Sequence, residues 1–223
     1  SSTPIIVTPN AGLPQTDDEG HTYYDMSADE FASEMKEIAS LNVHVLGGCC
    51  GTTPEYLSKT IELVKDLPIE PPVKKNISVV TSFSQSVEIG PKPVIIGERI
   101  NPTGKKKFKQ ALRDGDINYI LSEGLKQEDA GAHILDVNVG LPEIDEAKMM
   151  VEVMKKLQSV IALPLQIDTS DPIALEAALR HYNGKAMINS VNGKQESMDA
   201  VFPLVQKYGG VVVGLALDED GIP

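Results

Sequence analysis

Short runs of β-branched residues alternate with longer stretches of helical hydrophobic spacing along most of the chain. Single helices between consecutive strands connect parallel strands in βαβ units. Strands are predicted at 5–8, 43–46, 94–97, 133–138, 165–168, 186–189 and 211–215. Helices are predicted at 28–41, 54–65, 117–130, 143–160, 172–181 and 195–208. The pattern therefore predicts an α/β protein with parallel sheets.

The alternation stops between the two parts of the chain, where Pro68, Pro71 and Pro72 lie close together. Proline removes a backbone donor and fixes φ, so this composition predicts an interdomain linker. Within the linker, residues 78–81 and 86–89 are predicted to pair as a short hairpin. The predicted organisation is a first domain at 1–66, a linker at 67–92 and a second domain at 93–223.

Polar side chains end four consecutive strands of the second part: Glu98 with Arg99, Asp136 with Asn138, Asp168, and Asn189. In a (β/α)8 TIM barrel the ligand site lies at the carboxyl ends of all strands, whereas a doubly wound sheet has its site at one switch point. The pattern favours the barrel. Because a barrel needs about 250 residues, two partial barrels are predicted, the end of one and the first half of the next, in a fragment of a larger protein.

Composition narrows the classes of function. A formal net charge of −12 and an aromatic content of 4% disfavour nucleic-acid and membrane binding. Cys49 and Cys50 are the only cysteines and are adjacent, so no disulfide framework is expected. A cytoplasmic protein is therefore predicted.

Cys49 and Cys50 follow a predicted strand and lie between glycines, in the sequence Gly-Gly-Cys-Cys-Gly-Thr-Thr-Pro of residues 47–54. Two thiols at a strand end are suitable ligands for zinc, which lowers the pKa of a bound thiol. Two small buried core residues are the alternative, and a catalytic zinc usually has three protein ligands. The residues alone leave both interpretations open.

Asp136 and Asn138 are two positions apart on one strand and so share a face, while Asp168 and Asn189 end the next two strands. A carboxylate can accept two hydrogen bonds from an amino-amide edge such as that of a pterin, and an asparagine can donate or accept. Helix capping and turn formation are the alternative, above all for Asp168, which precedes Thr-Ser-Asp. The basic run at 105–107 is predicted to lie in a loop on the same side.

Residues 47–54, together with Pro-Asn-Ala-Gly-Leu-Pro at 9–14, resemble the last part of the homocysteine S-methyltransferase domain. The resemblance implies a zinc ion that activates homocysteine as a thiolate. Cys49 and Cys50 match two of its three cysteine ligands, and the third is expected upstream of Ser1.

The motifs at 97–104, 135–140, 167–169 and 188–190 resemble, in order, the first four strands of the pterin-binding family. That family includes dihydropteroate synthases and methyltetrahydrofolate methyltransferases. The resemblance implies that Asp168 binds the pterin ring and that Asn189 contacts the ring near N5 as the catalytic residue. It implies that Asp136 and Asn138 line the same methyltetrahydrofolate pocket.

A homocysteine domain, a linker and a pterin domain follow one another in the cobalamin-dependent methionine synthase family, which this order resembles. The resemblance implies methyl transfer from 5-methyltetrahydrofolate via cob(I)alamin to zinc-activated homocysteine, with cobalamin on another domain or protein. The fragment alone is expected to be inactive. The alternatives are a methyltetrahydrofolate–corrinoid protein methyltransferase, a dihydropteroate-synthase-like enzyme, and an inactive fragment that acts only in domain packing.

Overall fold

The computed structural model describes residues 3–222, which form a first compact unit ending at Asn76 and a second beginning at Ile77. Each unit has its own hydrophobic core. The predicted boundaries at 1–66, 67–92 and 93–223 stay predictions. None of the helices between residues 3 and 222 is long and apolar enough to cross a membrane.

The first unit contains four short strands and two helices. They are β1 (Ile6–Val7), β2 (Pro14–Thr16), β3 (Thr22–Tyr24), α1 (Ala28–Ser40), β4 (Val45–Leu46) and α2 (Pro54–Val64). β1 and β4 pair in parallel, as the βαβ pattern requires, and β2 pairs with β3 in an antiparallel hairpin that the pattern did not predict. α1 begins in the capping box that its sequence spacing indicates: the Glu30 amide donates to Ser27 Oγ, and the Ser27 amide donates to Glu30 Oε2 at 2.9 Å.

The second unit is a five-stranded parallel sheet with helices between its strands. Its elements are β5 (Ser78–Thr81), β6 (Ser86–Ile89), β7 (Ile96–Ile100), α3 (Lys106–Asp114), α4 (Ile117–Asp129), β8 (Ile134–Val137), α5 (Glu146–Gln158), β9 (Leu165–Asp168), α6 (Pro172–His181), β10 (Met187–Asn192), α7 (Gln195–Tyr208) and β11 (Val211–Leu215). The strand order runs β7-β8-β9-β10-β11 without reversal. A sequential order is that of a β/α barrel, whereas a doubly wound sheet reverses at its switch point. The predicted α/β fold of TIM-barrel type is confirmed.

The antiparallel hairpin of β5 and β6 belongs to the second unit. Its register pairs Ser78 with Ile89 and Thr81 with Ser86, so the predicted pairing is confirmed. Val80 is fully buried against Ile134 and other apolar residues at the amino ends of the parallel strands. The Thr81 amide donates to the Lys185 carbonyl at 2.9 Å, which joins the hairpin to the loop before β10.

Two predicted boundaries near the first strand of this sheet are wrong. β7 continues to Ile100, so Glu98 lies within the strand and not in a loop. The strand extends because a register shift lets fully buried Ile100 join the core and because buried Gln127 accepts a hydrogen bond from the Arg99 amide at 2.7 Å. The predicted loop at 105–107 is also wrong from Lys106 onwards, since α3 begins there.

α3 was missed because four lysines and arginines dilute its hydrophobic pattern. Its three buried residues, Phe108, Ala111 and Leu112, have the i, i+3, i+4 spacing of one helix face. The apolar face of α3 therefore has helical spacing but contains only three buried residues, and packing on the core stabilises the helix.

Candidate functional site

One face of the parallel sheet changes from apolar to polar along the strand direction. At the amino ends, Ile134 of β8 and Met187 of β10 are buried in the cluster that contains Val80 of the hairpin. Two residues further along each strand, the same face carries Asp136 and Asn189. The hairpin therefore covers the apolar end of this face, and the polar end lies at the carboxyl ends of the strands, where β/α barrels place their sites.

The structure brings the four predicted pterin-site residues into two hydrogen-bonded pairs. Asn138 Nδ2 donates to Asp168 Oδ2 at 2.9 Å, and Asn189 Nδ2 donates to Asp136 Oδ1 at 3.4 Å. Cross-strand register explains the proximity, because Asn189 lies opposite Asp168 in the β9–β10 pair. The four side chains form one polar cluster across three neighbouring strands.

Helix capping was the alternative interpretation of these residues, but other side chains cap the helices that follow. Asp171 caps α6 by accepting from the Ile173 amide at 2.8 Å, and Asp145 caps α5 by accepting from the Lys148 amide. Asp168 makes no such bond in the described structure. Asn138 has both functions, since its Oδ1 accepts from the Gly140 amide at 2.9 Å. Local turn formation therefore explains one of the two hydrogen bonds of the Asn138 side chain and does not explain the position of Asp168.

Asp136 is the most perturbed carboxyl in the cluster. Its side chain is 2% exposed, and burial raises its pKa to about 6. Hydrogen bonds from Gln166 and Asn189 lower the pKa, while the charges of Asp168 and Glu98 raise it. Its Oδ2 has no hydrogen-bond partner among the described residues. A buried carboxyl that titrates near neutrality is more typical of functional sites than of structural ones.

Two open clefts flank the carboxyl end of β9. One has a volume of about 410 Å³ and is lined by Asp168 and Asn189 together with residues of the loop that follows β10. The other, of about 720 Å³, is lined by Asn138 and by the first residues of α5 and α6. Thr169 and Ser170 line both clefts. A flat heteroaromatic ligand has room beside the polar cluster in the first cleft.

Three polar residues of this region were missed from the sequence. Gln166 is buried in β9 and its Nε2 donates to Asp136 Oδ1. Thr169 Oγ1 donates to Glu146 Oε1 at the start of α5, between the two clefts. A glutamine two residues before Asp168 in an otherwise apolar strand was the available signal for Gln166. Nothing in the sequence indicated the pairing of Thr169 with Glu146, which lie 23 positions apart.

Cys49 and Cys50 follow β4 in a turn held against the loop at 9–11. The Cys49 amide donates to the Pro9 carbonyl at 3.0 Å, and the Cys50 amide donates to Asn10 Oδ1 at 3.1 Å. Both cysteines are exposed, so the alternative of a buried core pair is wrong. Desolvation, followed by the neighbouring Cys50 thiol, raises the pKa of Tyr24.

The geometry of the two thiols fits part of a zinc site. Their Sγ atoms are 3.8 Å apart, and two sulfurs bound to one tetrahedral zinc at about 2.3 Å each would also lie about 3.8 Å apart. Among residues 3–222, no group of three histidine, cysteine, aspartate or glutamate side chains has an arrangement that could hold a metal. The pair could therefore occupy two corners of a tetrahedron that needs further ligands.

Comparison with known proteins assigns the second unit to a family. A family profile described as pterin binding enzyme matches residues 97–221, more than half of the chain. The chain belongs to the pterin-binding enzyme family. A second profile, described as homocysteine S-methyltransferase, matches residues 1–64. The two matches follow one another in the order that the motifs indicated.

The chain is similar to methionine synthases over nearly its whole length. It is 32% identical to the methionine synthase of Mycobacterium tuberculosis and 31% identical to that of Mycobacterium leprae, over 98% of this chain in each case. The resemblance to that family is confirmed. The chain spans 19% of the length of each relative.

A solved dihydropteroate synthase from Xanthomonas albilineans, in complex with indole-2-carboxylic acid and 6-chloroguanine, is also similar. The TM-score is 0.41 at 20% identity, over 58% of this chain and 47% of that chain.

Proposed function

We propose that this chain is the part of a methionine synthase that ends the homocysteine-binding barrel and begins the methyltetrahydrofolate-binding barrel. The parent enzyme would transfer a methyl group from 5-methyltetrahydrofolate, via cob(I)alamin, to zinc-activated homocysteine. The similarity to two methionine synthases over 98% of the chain supports this proposal. The observation that supports pterin binding by the second unit is a cluster of four polar side chains at the carboxyl ends of β8–β10: Asp136, Asn138, Asp168 and Asn189.

Within the pterin half, Asp168 would accept N–H groups of the pterin ring, and Asn138 would hold the Asp168 carboxylate in place through the 2.9 Å bond. Asn189 would contact the ring near N5. Its Nδ2 is engaged with Asp136, whereas its Oδ1 has no hydrogen-bond partner among the described residues. That oxygen is therefore free to accept a hydrogen bond from a ligand.

The difficult step is the departure of N5, because an amine nitrogen leaves poorly unless it gains a proton or a strong hydrogen bond in the transition state. Asn189 Oδ1 would hold a proton at N5 by accepting its hydrogen bond. The remaining residues of the cluster would orient the ring in the first cleft. Cobalamin, on another domain or protein, would supply the nucleophile for the methyl group.

In the homocysteine half, Cys49 and Cys50 would hold zinc together with a third ligand from elsewhere in the parent protein. When bound, zinc would supply the Lewis acid that keeps the homocysteine sulfur as a thiolate near neutral pH. The exposed position of both thiols and their 3.8 Å separation support this assignment.

The test of the pterin assignment is the Asn189→Ala substitution in the complete parent enzyme. We expect single-turnover methyl transfer from 5-methyltetrahydrofolate to cob(I)alamin to slow by about 10²-fold, the usual size of one lost proton-transfer or hydrogen-bonding group. Asn118→Ala, at an exposed position in α4, is the matched control and should transfer at the wild-type rate. An unchanged rate in Asn189→Ala would remove Asn189 from the mechanism.

A further inference from the structure

Gln166 has the contacts of a residue that acts through its neighbours. It lies opposite Asp136 in the β8–β9 register, is 5% exposed, and donates its Nε2 hydrogen to Asp136 Oδ1. The same Oδ1 accepts the Nδ2 hydrogen of Asn189. One carboxylate oxygen therefore links a glutamine on β9 to the asparagine that lines the cleft from β10.

The buried polar atoms of this link are incompletely paired. Among the described residues, neither Asp136 Oδ2 nor Gln166 Oε1 has a hydrogen-bond partner, although both atoms are buried. Such atoms destabilise a fold when they are left unpaired, so they are rare where a polar group serves packing alone. Gln166 is therefore better explained by its effect on Asp136 than by its contribution to the core.

The orientation of the Asn189 amide depends on the state of Asp136. An ionised Asp136 accepts from Asn189 Nδ2, which leaves Asn189 Oδ1 for the cleft. A protonated Asp136 can carry its hydrogen on the unpartnered Oδ2 and accepts more weakly at Oδ1, so it holds the Asn189 amide less firmly and allows the reversed amide, with Nδ2 toward the cleft. Only the first orientation offers an acceptor to a ligand N–H group. The charge on Asp136 thus determines how strongly the Asn189 amide is held with its acceptor oxygen toward the cleft.

We propose that Gln166 is a positioning residue of the pterin site, which acts through Asp136 to keep the Asn189 amide with Oδ1 turned toward the ligand. The ligand side of this inference rests on the proposed function. By donating to Asp136, Gln166 favours the ionised carboxylate, which lowers the Asp136 pKa against the effect of burial. The other charged groups that act on Asp136 are Asp168 of β9 and Glu98 of β7, and both raise its pKa.

Gln166 is the main group that favours the ionised form of Asp136, because the charged groups nearby disfavour it. Glu98 is itself paired with Lys105, whose Nζ lies 3.4 Å from Glu98 Oε2, and no cation contacts Asp136 among the described residues. Asn189 is the second donor, at the longer distance of 3.4 Å. Removing the Gln166 donor should therefore raise the Asp136 pKa above about 6. The reversed orientation of the Asn189 amide should then be populated at physiological pH.

The experiment compares Gln166→Met, which keeps the length of the side chain without its donor, with the wild-type 223-residue chain. Carbon-13 NMR of the Asp136 carboxyl and nitrogen-15 NMR of the Asn189 amide would follow pH from 4.5 to 8.5. In the wild type both signals should change together near pH 6. In Gln166→Met both midpoints should move upward by about one pH unit, the size of one lost hydrogen bond to a charged group.

Binding of 5-methyltetrahydrofolate to the same variants of the complete parent enzyme, measured by calorimetry over the same pH range, gives the functional readout. Affinity should fall about fivefold at pH 6 in Gln166→Met, the ratio of the ionised Asp136 fractions, and should match the wild type at pH 8.5, where Asp136 is ionised in both. A loss of affinity that is equal at every pH would mean that Gln166 is merely structural and would overturn the proposal. Asp136→Asn, which does not titrate, should remove the pH dependence altogether.

Gln110→Met is the matched control, because Gln110 donates to Asp114 at 2.8 Å in an exposed pair on α3. It should leave the Asp136 and Asn189 titrations and the binding profile unchanged. Unchanged titrations in Gln166→Met would refute the link from Gln166 to Asn189. Failure of the wild-type parent enzyme to bind 5-methyltetrahydrofolate would instead count against the proposed function, and the titrations would still decide the positioning role.

Discussion

The Asp136→Asn substitution is expected to stabilise the folded protein above pH 6 and to have little effect near pH 4. Asp136 is 2% exposed, and burial raises its pKa from 3.8 to about 6. Between these two pH values the folded state binds a proton that the unfolded chain has released. The contribution of this carboxyl to stability is therefore fully present below about pH 4 and is lost as the pH rises through about 6.

The size of the effect follows from the difference between the two pKa values. Each pH unit between them corresponds to 1.36 kcal/mol, so ionising Asp136 in the folded protein costs about 3 kcal/mol more than in the unfolded chain. Asparagine keeps the shape of the side chain, and its Oδ1 can still accept from Gln166. The variant removes the buried charge, so its stability advantage should grow to about 3 kcal/mol by pH 7.5.

Urea denaturation of the wild type and the variant at half-unit steps from pH 4 to pH 8 measures this difference. Circular dichroism reports the helices of the second unit, and equal m-values would show that the extent of unfolding is the same. Asp129→Asn, at an exposed position, measures what the loss of a surface carboxylate does under the same conditions. A stability difference for Asp136→Asn that does not change with pH would refute the electrostatic argument.

Two further substitutions test how the hairpin and the core of the second unit are joined. Tyr182→Phe should cost about 1–3 kcal/mol in urea denaturation, because the Tyr182 hydroxyl accepts from the buried Leu165 amide at 2.9 Å and phenylalanine leaves that amide unpaired. Gly184→Ala should cost at least about 2 kcal/mol in the same assay. Gly184 has φ of 155°, and a Cβ there would overlap the Thr81 carbonyl oxygen.

Both substitutions have matched controls in the second unit. Tyr119→Phe removes a hydroxyl that makes no hydrogen bond among the described residues and should change stability by less than about 0.5 kcal/mol. Gly209 has φ of 73° but no atom within 4 Å of an added Cβ, so Gly209→Ala isolates backbone strain of about 1–2 kcal/mol. Equal losses in Gly184→Ala and Gly209→Ala would contradict a steric role for Thr81. An unaffected Tyr182→Phe would show that the Leu165 amide finds another acceptor.

Prediction from the sequence was most accurate where local pattern and capping agree. The strands at 165–168 and 211–215 and the helices at 172–181 and 195–208 have the predicted bounds. Pro172 at the first position of α6 and Gly209 after the last residue of α7 mark two of these ends without reference to the rest of the fold. Prediction failed where the pattern was diluted, as in the lysine-rich α3, or where a bulge extended a strand, as in β7.

The candidate site was only partly accessible from the sequence. Asp136, Asn138, Asp168 and Asn189 stood out because polar residues end apolar strands, and the structure brings them into one cluster. Their partners depend on register between strands that lie about 30 residues apart. Gln166 was missed for that reason. Thr169 and Glu146 were missed because their contact joins the end of β9 to the start of α5, 23 positions away in the chain.

The sequence by itself determined the alternation of strands and helices, the motifs that relate the chain to its families, and the positions of the two adjacent thiols. These features depend on residues near one another in the chain. Only the tertiary structure decided which polar groups are buried and what they contact. Asp136 illustrates the reason: burial under neighbouring strands raises its pKa to about 6, and two donors from β9 and β10 set the orientation of its carboxylate. Desolvation and hydrogen-bond geometry arise from the packing of distant segments, so no local pattern encodes them.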